Sequence, residues 1–173
     1  TTPCVMSLVD DGRIGLDDLA ATGLPELGGD PNKRAITIRH LLTHCSGLPA
    51  GIRPGYEWSG YEPGVVLACC EPSNGRAGID YLYSDINFIL LGEIVQRVAG
   101  KRLDRFAAER IFGPLGMRDT GFLPGAELRP RIAPTTRMAD GGMLRGVVHD
   151  PTARRMGGIA GHAGVFTTAA DLA

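Results

Sequence analysis

The sequence predicts a helix-rich α+β domain, and three observations carry that expectation. The stretch Tyr83 to Gly100, YSDINFILLGEIVQRVAG, repeats apolar residues at helical spacing over four turns. Shorter stretches with helical spacing and their own stop or cap signals flank it, at 4–11, 36–44 and 104–112. Strand-like sequence is confined to two short pieces, at 79–83 and around Val165, the second set among glycines.

Taken in order, residues 4–11 place Val5, Leu8 and Val9 on one side of a helix that Gly12 stops. Pro3 suits its first turn, where a missing N–H costs little. Residues 16–19 begin a short polar-rich segment, and 23–33, with two prolines and three glycines, read as a loop. In ITIRHLLTH, at 36–44, Thr37 can cap a helix carrying Ile38, Leu41 and Leu42. Ser46-Gly47-Leu48-Pro49 ends it. Residues 50–64 are irregular and hold Tyr56, Trp58 and Tyr61. Such a long segment serves as the wall or lid of a site, or as a surface loop pinned by its aromatics. A weak helix is expected over 65–70, a turn over 72–78 and a short strand over 79–83.

The central stretch follows. Ile86, Leu90, Ile94 and Val98 recur every fourth residue, and Ile89, Leu91 and Val95 widen the stripe. Only Glu93, Gln96 and Arg97 form a clear outer face, so the helix is expected inside a core. Ser84 or Asp85 can cap its start, and Gly100 and Lys101 suit its end. Tyr83 stands just ahead of it. By itself a tyrosine there reads as a core residue at the start of a helix; a phenol held against a rigid element is also well placed for chemistry. A second helix over 104–112 turns Phe106, Ala107 and Ile111 inward, and Gly113-Pro114 breaks it. Residues 123–142 are loop-rich. His149-Asp150-Pro151 precedes about one helical turn. In GGIAGHAGVFTT, at 157–168, glycines beside β-prone residues suit a strand that a ligand approaches closely. Residues 169–173 begin another helix.

The chain has 173 residues, 43% hydrophobic and 21% charged, with a formal net charge of −1. That is enough for one domain with a real core. No cluster of Lys and Arg forms a stripe, which argues against a nucleic-acid partner. No apolar run reaches membrane-spanning length. Cys4, Cys45, Cys69 and Cys70 match neither a zinc site nor a redox pair and read mostly as small buried residues. His40 and His44 are spaced to face one ion from a helix, but no Glu lies between them, so the zinc-protease pattern is absent and no metal is expected. Gly157 to Gly164 lacks the lysine of a phosphate-binding loop, and no G-x-S-x-G elbow occurs. The chain opens at Thr1 and stops at Ala173 within helix-like sequence, so it reads as an internal piece of a longer protein.

Four stretches converge: ITIRHLLTHCSGLP at 36–49, YSDINFILLGEIV at 83–95, FGPLGMRDTGF at 112–122 and GGIAGHAGVFTTAADLA at 157–173. Together, and in this order, they resemble the serine hydrolases of the β-lactamase and penicillin-binding-protein superfamily. The likeness is closest to the class C-like branch of esterases and D-alanyl-D-alanine carboxypeptidases. It implies a β-lactamase/transpeptidase-like fold, of which residues 1–173 would be a partial domain. This part would hold most of the helical portion plus one edge strand of an antiparallel sheet.

The family's second motif is Tyr-x-Asn or Ser-x-Asn, and Tyr83-Ser84-Asp85 matches it with Asp in place of Asn. Its third motif, Lys-Thr-Gly or His-x-Gly, is matched by His162-Ala163-Gly164. Its first, Ser-x-x-Lys, is missing. The only lysines are Lys33 and Lys101, and Asp30 and Val98 stand three positions before them. The resemblance therefore expects the nucleophilic serine a few residues ahead of Thr1, and this chain alone to be inactive. Pro3 departs from the family's unbroken helix at that place.

Acyl transfer needs a nucleophile, a base within hydrogen-bond reach and an oxyanion hole. The resemblance gives Tyr83 the task of taking or relaying the serine proton. Asp85 would orient the lysine or the substrate amide, and an anionic Asp would hold a lysine cation more firmly than Asn. The Val165 backbone N–H would donate to the oxyanion, its side chain facing the core. His162, Ala163 and Gly164 would bind substrate, with His162 at the mouth of the site. The implied substrates are small esters, D-alanyl peptides or β-lactams, with no cofactor. A non-catalytic member binding peptidoglycan-like or peptide ligands is the alternative.

Overall fold

The computed structural model describes every residue except Tyr56, so that loop aromatic lies outside the described residues. Helix α1 (Thr2–Asp10) carries Pro3 in its first turn, buries Cys4, Val5 and Leu8, and ends at Gly12 with φ +67°. A short α2 (Ala20–Gly23) leads into a 3-10 turn at Pro25–Gly29, where a loop was expected. In α3 (Ile38–Leu42) the cap is reciprocal. The Thr37 side chain accepts the His40 N–H, and His40 Nδ1 accepts the Thr37 N–H at 3.3 Å.

Helix α4 (Tyr61–Cys70) begins four residues earlier than the sequence suggests. Pro63 reads as a breaker, but it sits in the first turn, where no intrahelical N–H is needed. Gly60 makes that start possible with φ +104°, and its N–H donates to Arg155 O at 2.8 Å.

Helix α5 (Asp85–Ala99) is the axis of the molecule and touches α1, α2, α3 and α4. Ile86, Ile89, Leu90, Leu91 and Val95 are completely buried, as the apolar stripe requires. Of the two candidate caps, Ser84 is the one used: its hydroxyl accepts the Asn87 N–H at 3.4 Å. Gly100 closes the helix in the left-handed region at φ +67°. Helix α6 (Leu103–Ala107) packs on α5 and runs on as a π turn over Ala108–Phe112.

Two small antiparallel pairs complete the chain. Strand β1 (Gly121–Phe122) pairs with β4 (Val165–Phe166) in the register Gly121–Phe166 and Phe122–Val165. Strand β2 (Thr136–Arg137) pairs with β3 (Met143–Leu144). Helix α7 (Pro151–Arg155) is the single turn expected after His149, and α8 (Ala169–Leu172) is the last element.

The strand expected over 79–83 does not form. Its backbone donors are taken from outside any ladder. Leu82 N–H donates to His44 O at 2.9 Å, and Ser84 N–H donates to His44 Nδ1 at 3.1 Å.

A close approach fixes the end of the chain against α5. An added Cβ on Gly161 would fall 1.8 Å from Phe88 O, and one on Gly92 would fall 2.9 Å from Gly161 Cα. Gly92 thus sits mid-helix, against its poor helix propensity, because backbone meets backbone there.

Candidate functional site

The Tyr83-Ser84-Asp85 turn is built by the cap of α5. Ser84 is fully buried; its hydroxyl donates to Pro49 O at 2.6 Å and accepts the Asn87 N–H. The turn therefore cannot swing, and Tyr83 projects from it with 60% of its surface exposed. Tyr83 is thus not part of this chain's buried core.

His44 backs this turn. It adopts φ +57°, a conformation uncommon for non-glycine residues, although histidine takes it more readily than most. Its ring lies 4.6 Å from the Tyr83 ring and 5.2 Å from the Phe88 ring, centroid to centroid, with Tyr81 edge-on at 6.0 Å. Because α3 stops at Leu42, His40 and His44 do not share a helical face. Each ring is occupied in capping or clamping backbone, and the shared-ion geometry does not arise.

Across the site, the His162 side chain is 2% exposed and its Nε2–H donates to Asp150 Oδ1 at 2.8 Å. The imidazole is thus buried against a carboxylate rather than standing free at the mouth. Asp150 also caps α7, accepting the Ala153 N–H at 2.7 Å. Burial works to raise the Asp150 carboxyl, but the bonds from His162 and the backbone outweigh it and hold the group below the usual carboxylate range. His162 Nδ1 is buried without a partner among the described residues.

Asp85 completes this grouping. Ligand-type atoms of Asp85, Asp150 and His162 all lie within 4.8 Å of one another. The two family-like motifs, Tyr83–Asp85 and His162–Gly164, therefore meet. Burial, reinforced by the Asp150 charge, raises the Asp85 carboxyl despite opposing contributions from His162 and His44. Asp150 and His162 Nε2 already bond one another, so no ion is needed to hold that pair together.

The segment from Gly161 to Val165 borders a cleft of about 420 Å³, lined by Thr1, Phe88, Phe122, His162, Gly164 and Val165 among others. Ala163, Gly164 and Val165 also face a second cavity of about 720 Å³, so this backbone partitions the two. Tyr83 reaches the cleft wall indirectly, through His44, whose ring is tilted against Tyr83 and stacked on Phe88.

Two details of the third stretch differ from expectation. The Val165 side chain is 47% exposed, not turned into the core. Strand β4 is two residues long with β1 as its partner, and no layer covers that side chain among the described residues. Gly164 has φ +122°, and an added Cβ would lie 2.4 Å from Gly158 O. Its missing side chain is required by the chain's own backbone, so a bulky replacement there would disrupt the fold and could not report on substrate approach.

Sequence reasoning missed Asp150 and His44 as parts of the site. The Asp-Pro cap signal was visible at 150–151, yet nothing local announced the distant His162. His44 drew attention only as a metal ligand, although the turn it precedes, Ser46 to Pro49, is one that anchors α5. Lys33, one of the two lysines, is buried at 3% exposure, donates to Cys69 O at 2.6 Å and pairs with Asp30.

This fold, with a tyrosine turn facing a glycine-bordered edge segment, is that of the β-lactamase/transpeptidase-like proteins. The beta-lactamase family model matches residues 1–173, and the chain belongs to that family. A relative from Escherichia coli (strain K12), named "Putative D-alanyl-D-alanine carboxypeptidase", is 31% identical over 201 residues, covering 100% of this chain and 46% of its own. A solved class C beta-lactamase from Rhodobacter sphaeroides is similar with TM-score 0.76 and 24% identity, over 98% of this chain and 45% of that one. A solved beta-lactamase/D-alanine carboxypeptidase from Yersinia pestis gives TM-score 0.74 and 24% identity, over 98% and 48%. The chain spans about half the length of the curated relatives it matches. Among the described residues, no helix is long and apolar enough to cross a membrane.

Proposed function

We propose that this chain is the helical part of a serine hydrolase that works through an acyl-serine on small esters, D-alanyl amides or β-lactams. The observation that supports this reading most is the meeting of Asp85 and His162, which brings the Tyr-Ser-Asp turn beside the His-Ala-Gly segment. In the proposed reaction a serine hydroxyl attacks the substrate carbonyl. Its proton passes to the Tyr83 oxygen, shared with the lysine of Ser-x-x-Lys. The developing oxyanion receives the Val165 N–H and the N–H of the serine. Tyr83 then returns the proton to the leaving group, and water releases the acyl chain by the same path reversed. Asp85 orients the lysine or the substrate amide, while His162, Ala163 and Gly164 line the substrate's path.

Recovering the full coding sequence tests this directly. A Ser-x-x-Lys ahead of Thr1 is expected, and the full-length protein should hydrolyse p-nitrophenyl esters and take up a fluorescent penicillin at that serine. The 173-residue chain alone should do neither. Loss of Ser-x-x-Lys from the full sequence, or stoichiometric labelling of the isolated chain, would overturn the reading.

A further inference from the structure

We infer that His44 is the positioning residue for Tyr83: a neutral imidazole, protonated at Nε2, whose Nδ1 and ring together set where the tyrosine oxygen stands. This rests on the hydrolase reading and assigns a task that the reading leaves open, since nothing in the Tyr-Ser-Asp turn itself restrains the exposed Tyr83 ring.

A chain of hydrogen bonds fixes the tautomer. Leu48 N–H donates to Ser46 Oγ at 3.1 Å, and the Ser46 hydroxyl donates to Asn87 Oδ1 at 2.6 Å. With its oxygen so engaged, the buried Asn87 amide turns its NH₂ toward His44 Nδ1, at 3.4 Å. Ser84 N–H reaches the same Nδ1 at 3.1 Å. Two donors aimed at one nitrogen require a lone pair there, so the ring proton belongs on Nε2. A proton on Nδ1 would set two donors against a third and leave the buried Ser84 N–H without its acceptor.

The backbone of His44 is equally committed. Its carbonyl accepts the Leu82 N–H at 2.9 Å, and its φ of +57° is what lets carbonyl and ring address the same neighbouring segment. Residues 81–83 have little else to hold them: Tyr81 is 69%, Leu82 41% and Tyr83 60% exposed. The ring of His44 contacts those of both Tyr83 and Phe88, at interplanar angles of 33° and 30°. Phe88 belongs to α5 and lines the cleft. The tyrosine is thus referenced to the rigid helix through one imidazole, and loss of that ring frees it to wander from the serine's proton. A misplacement of about 1 Å costs on the order of a hundredfold in rate.

His44→Asn in the full-length protein tests the inference, because Asn tolerates a positive φ while lacking the ring. With a p-nitrophenyl ester as probe, kcat should fall by about tenfold or more with KM within about twofold, the signature of a lost transition-state arrangement. The double variant His44→Asn, Tyr83→Phe should be no slower than Tyr83→Phe, since His44 acts through the tyrosine. Independently of activity, ¹⁵N spectra should show His44 Nδ1 unprotonated and Nε2 protonated near neutral pH. Wild-type turnover in His44→Asn, an equal additional loss in the Tyr83→Phe background, or a proton on Nδ1 would each overturn the assignment. Undiminished activity in Tyr83→Phe would sink the hydrolase reading along with it; a slowed Tyr83→Phe beside an unaffected His44→Asn sinks this inference alone.

Discussion

His162 and Asp150 hold each other at 2.8 Å, and that single contact joins the edge segment to the start of α7. The folded chain favours the ionised Asp150, so the contact contributes stability above the ordinary carboxylate range and loses it as pH falls through the depressed value. Asp150→Asn keeps a cap for α7 but removes the charge that faces His162. It should lower the melting temperature at pH 7 by several degrees, for a loss of about 1–3 kcal/mol. The gap between variant and wild type should close toward pH 3; a gap that stays constant across that range would show that the charge is not the cause.

Asp85 should behave in the opposite sense. Its carboxyl is raised, chiefly by burial, so the folded chain favours the protonated form. Its contribution is therefore most favourable below the unfolded value near pH 3.8 and is lost as pH rises through the raised folded value. Asp85→Asn should melt higher than wild type at pH 7 and at the same temperature near pH 3. Thermal melts of this chain at the two pH values decide it, and destabilisation at pH 7 would show that the carboxylate is held by contacts that outweigh its burial.

Tyr83→Phe removes only the hydroxyl from a ring that is already 60% exposed. In the full-length protein, acylation should slow by about a hundredfold or more, the usual scale for loss of a general base. The melting temperature should barely move, because no buried contact is deleted. Unchanged acylation in stopped-flow measurements would remove Tyr83 from the reaction.

Gly92→Ala sets helix propensity against packing. Propensity alone favours alanine over glycine by about 1 kcal/mol in a helix interior. The added methyl would meet Gly161 Cα at 2.9 Å and Gly161 N at 3.0 Å, and backbone cannot rotate away. Packing should win, with a net destabilisation of about 1–3 kcal/mol in denaturant titration. A variant more stable than wild type would mean that the two segments separate easily.

The thiols should sort by burial. Cys4 and Cys69 are buried, Cys45 is intermediate and Cys70 is exposed. Burial, helped by Glu26 and Cys70, pushes the Cys69 thiol up to about 12, so thiolate there is scarce at neutral pH. Peptide mapping after brief alkylation of the native chain should find Cys70 modified first and Cys69 untouched until denaturation. Early modification of Cys69 would contradict the packing of α4.

The helices were legible because each was announced locally. The stripe of Ile86, Leu90 and Ile94 and the pair Ser84 and Gly100 give α5 almost to the residue, and Thr37 gives the start of α3. Where expectation failed, the deciding partner was one that the local pattern does not show. The run 79–83 has strand-like sequence, but its Leu82 N–H goes to His44 O and no ladder forms there. Gly164 looked like room for a ligand, and only the placement of Gly158 shows the space to be filled by backbone. The Tyr83 and His162 stretches could be recognised by their motifs, while Asp150, the partner that buries His162, carried no signal beyond an ordinary helix cap. Local sequence records caps and stripes; it does not record which distant residue will answer them.

The contact of Gly92 with Gly161 has a mechanical meaning. Ordinary packing places side chains between elements, and rotamer changes there act as a soft cushion that absorbs small shifts. Here the cushion is absent over one short span. Any sliding of α5 along its axis is passed undamped to the segment carrying His162 and Gly164, while the same helix carries Tyr83 and Asp85 at its head. The backbones of Asp85 and of the Gly161 segment are therefore referenced to one helix, and their separation should hold steady even where the surrounding loops drift.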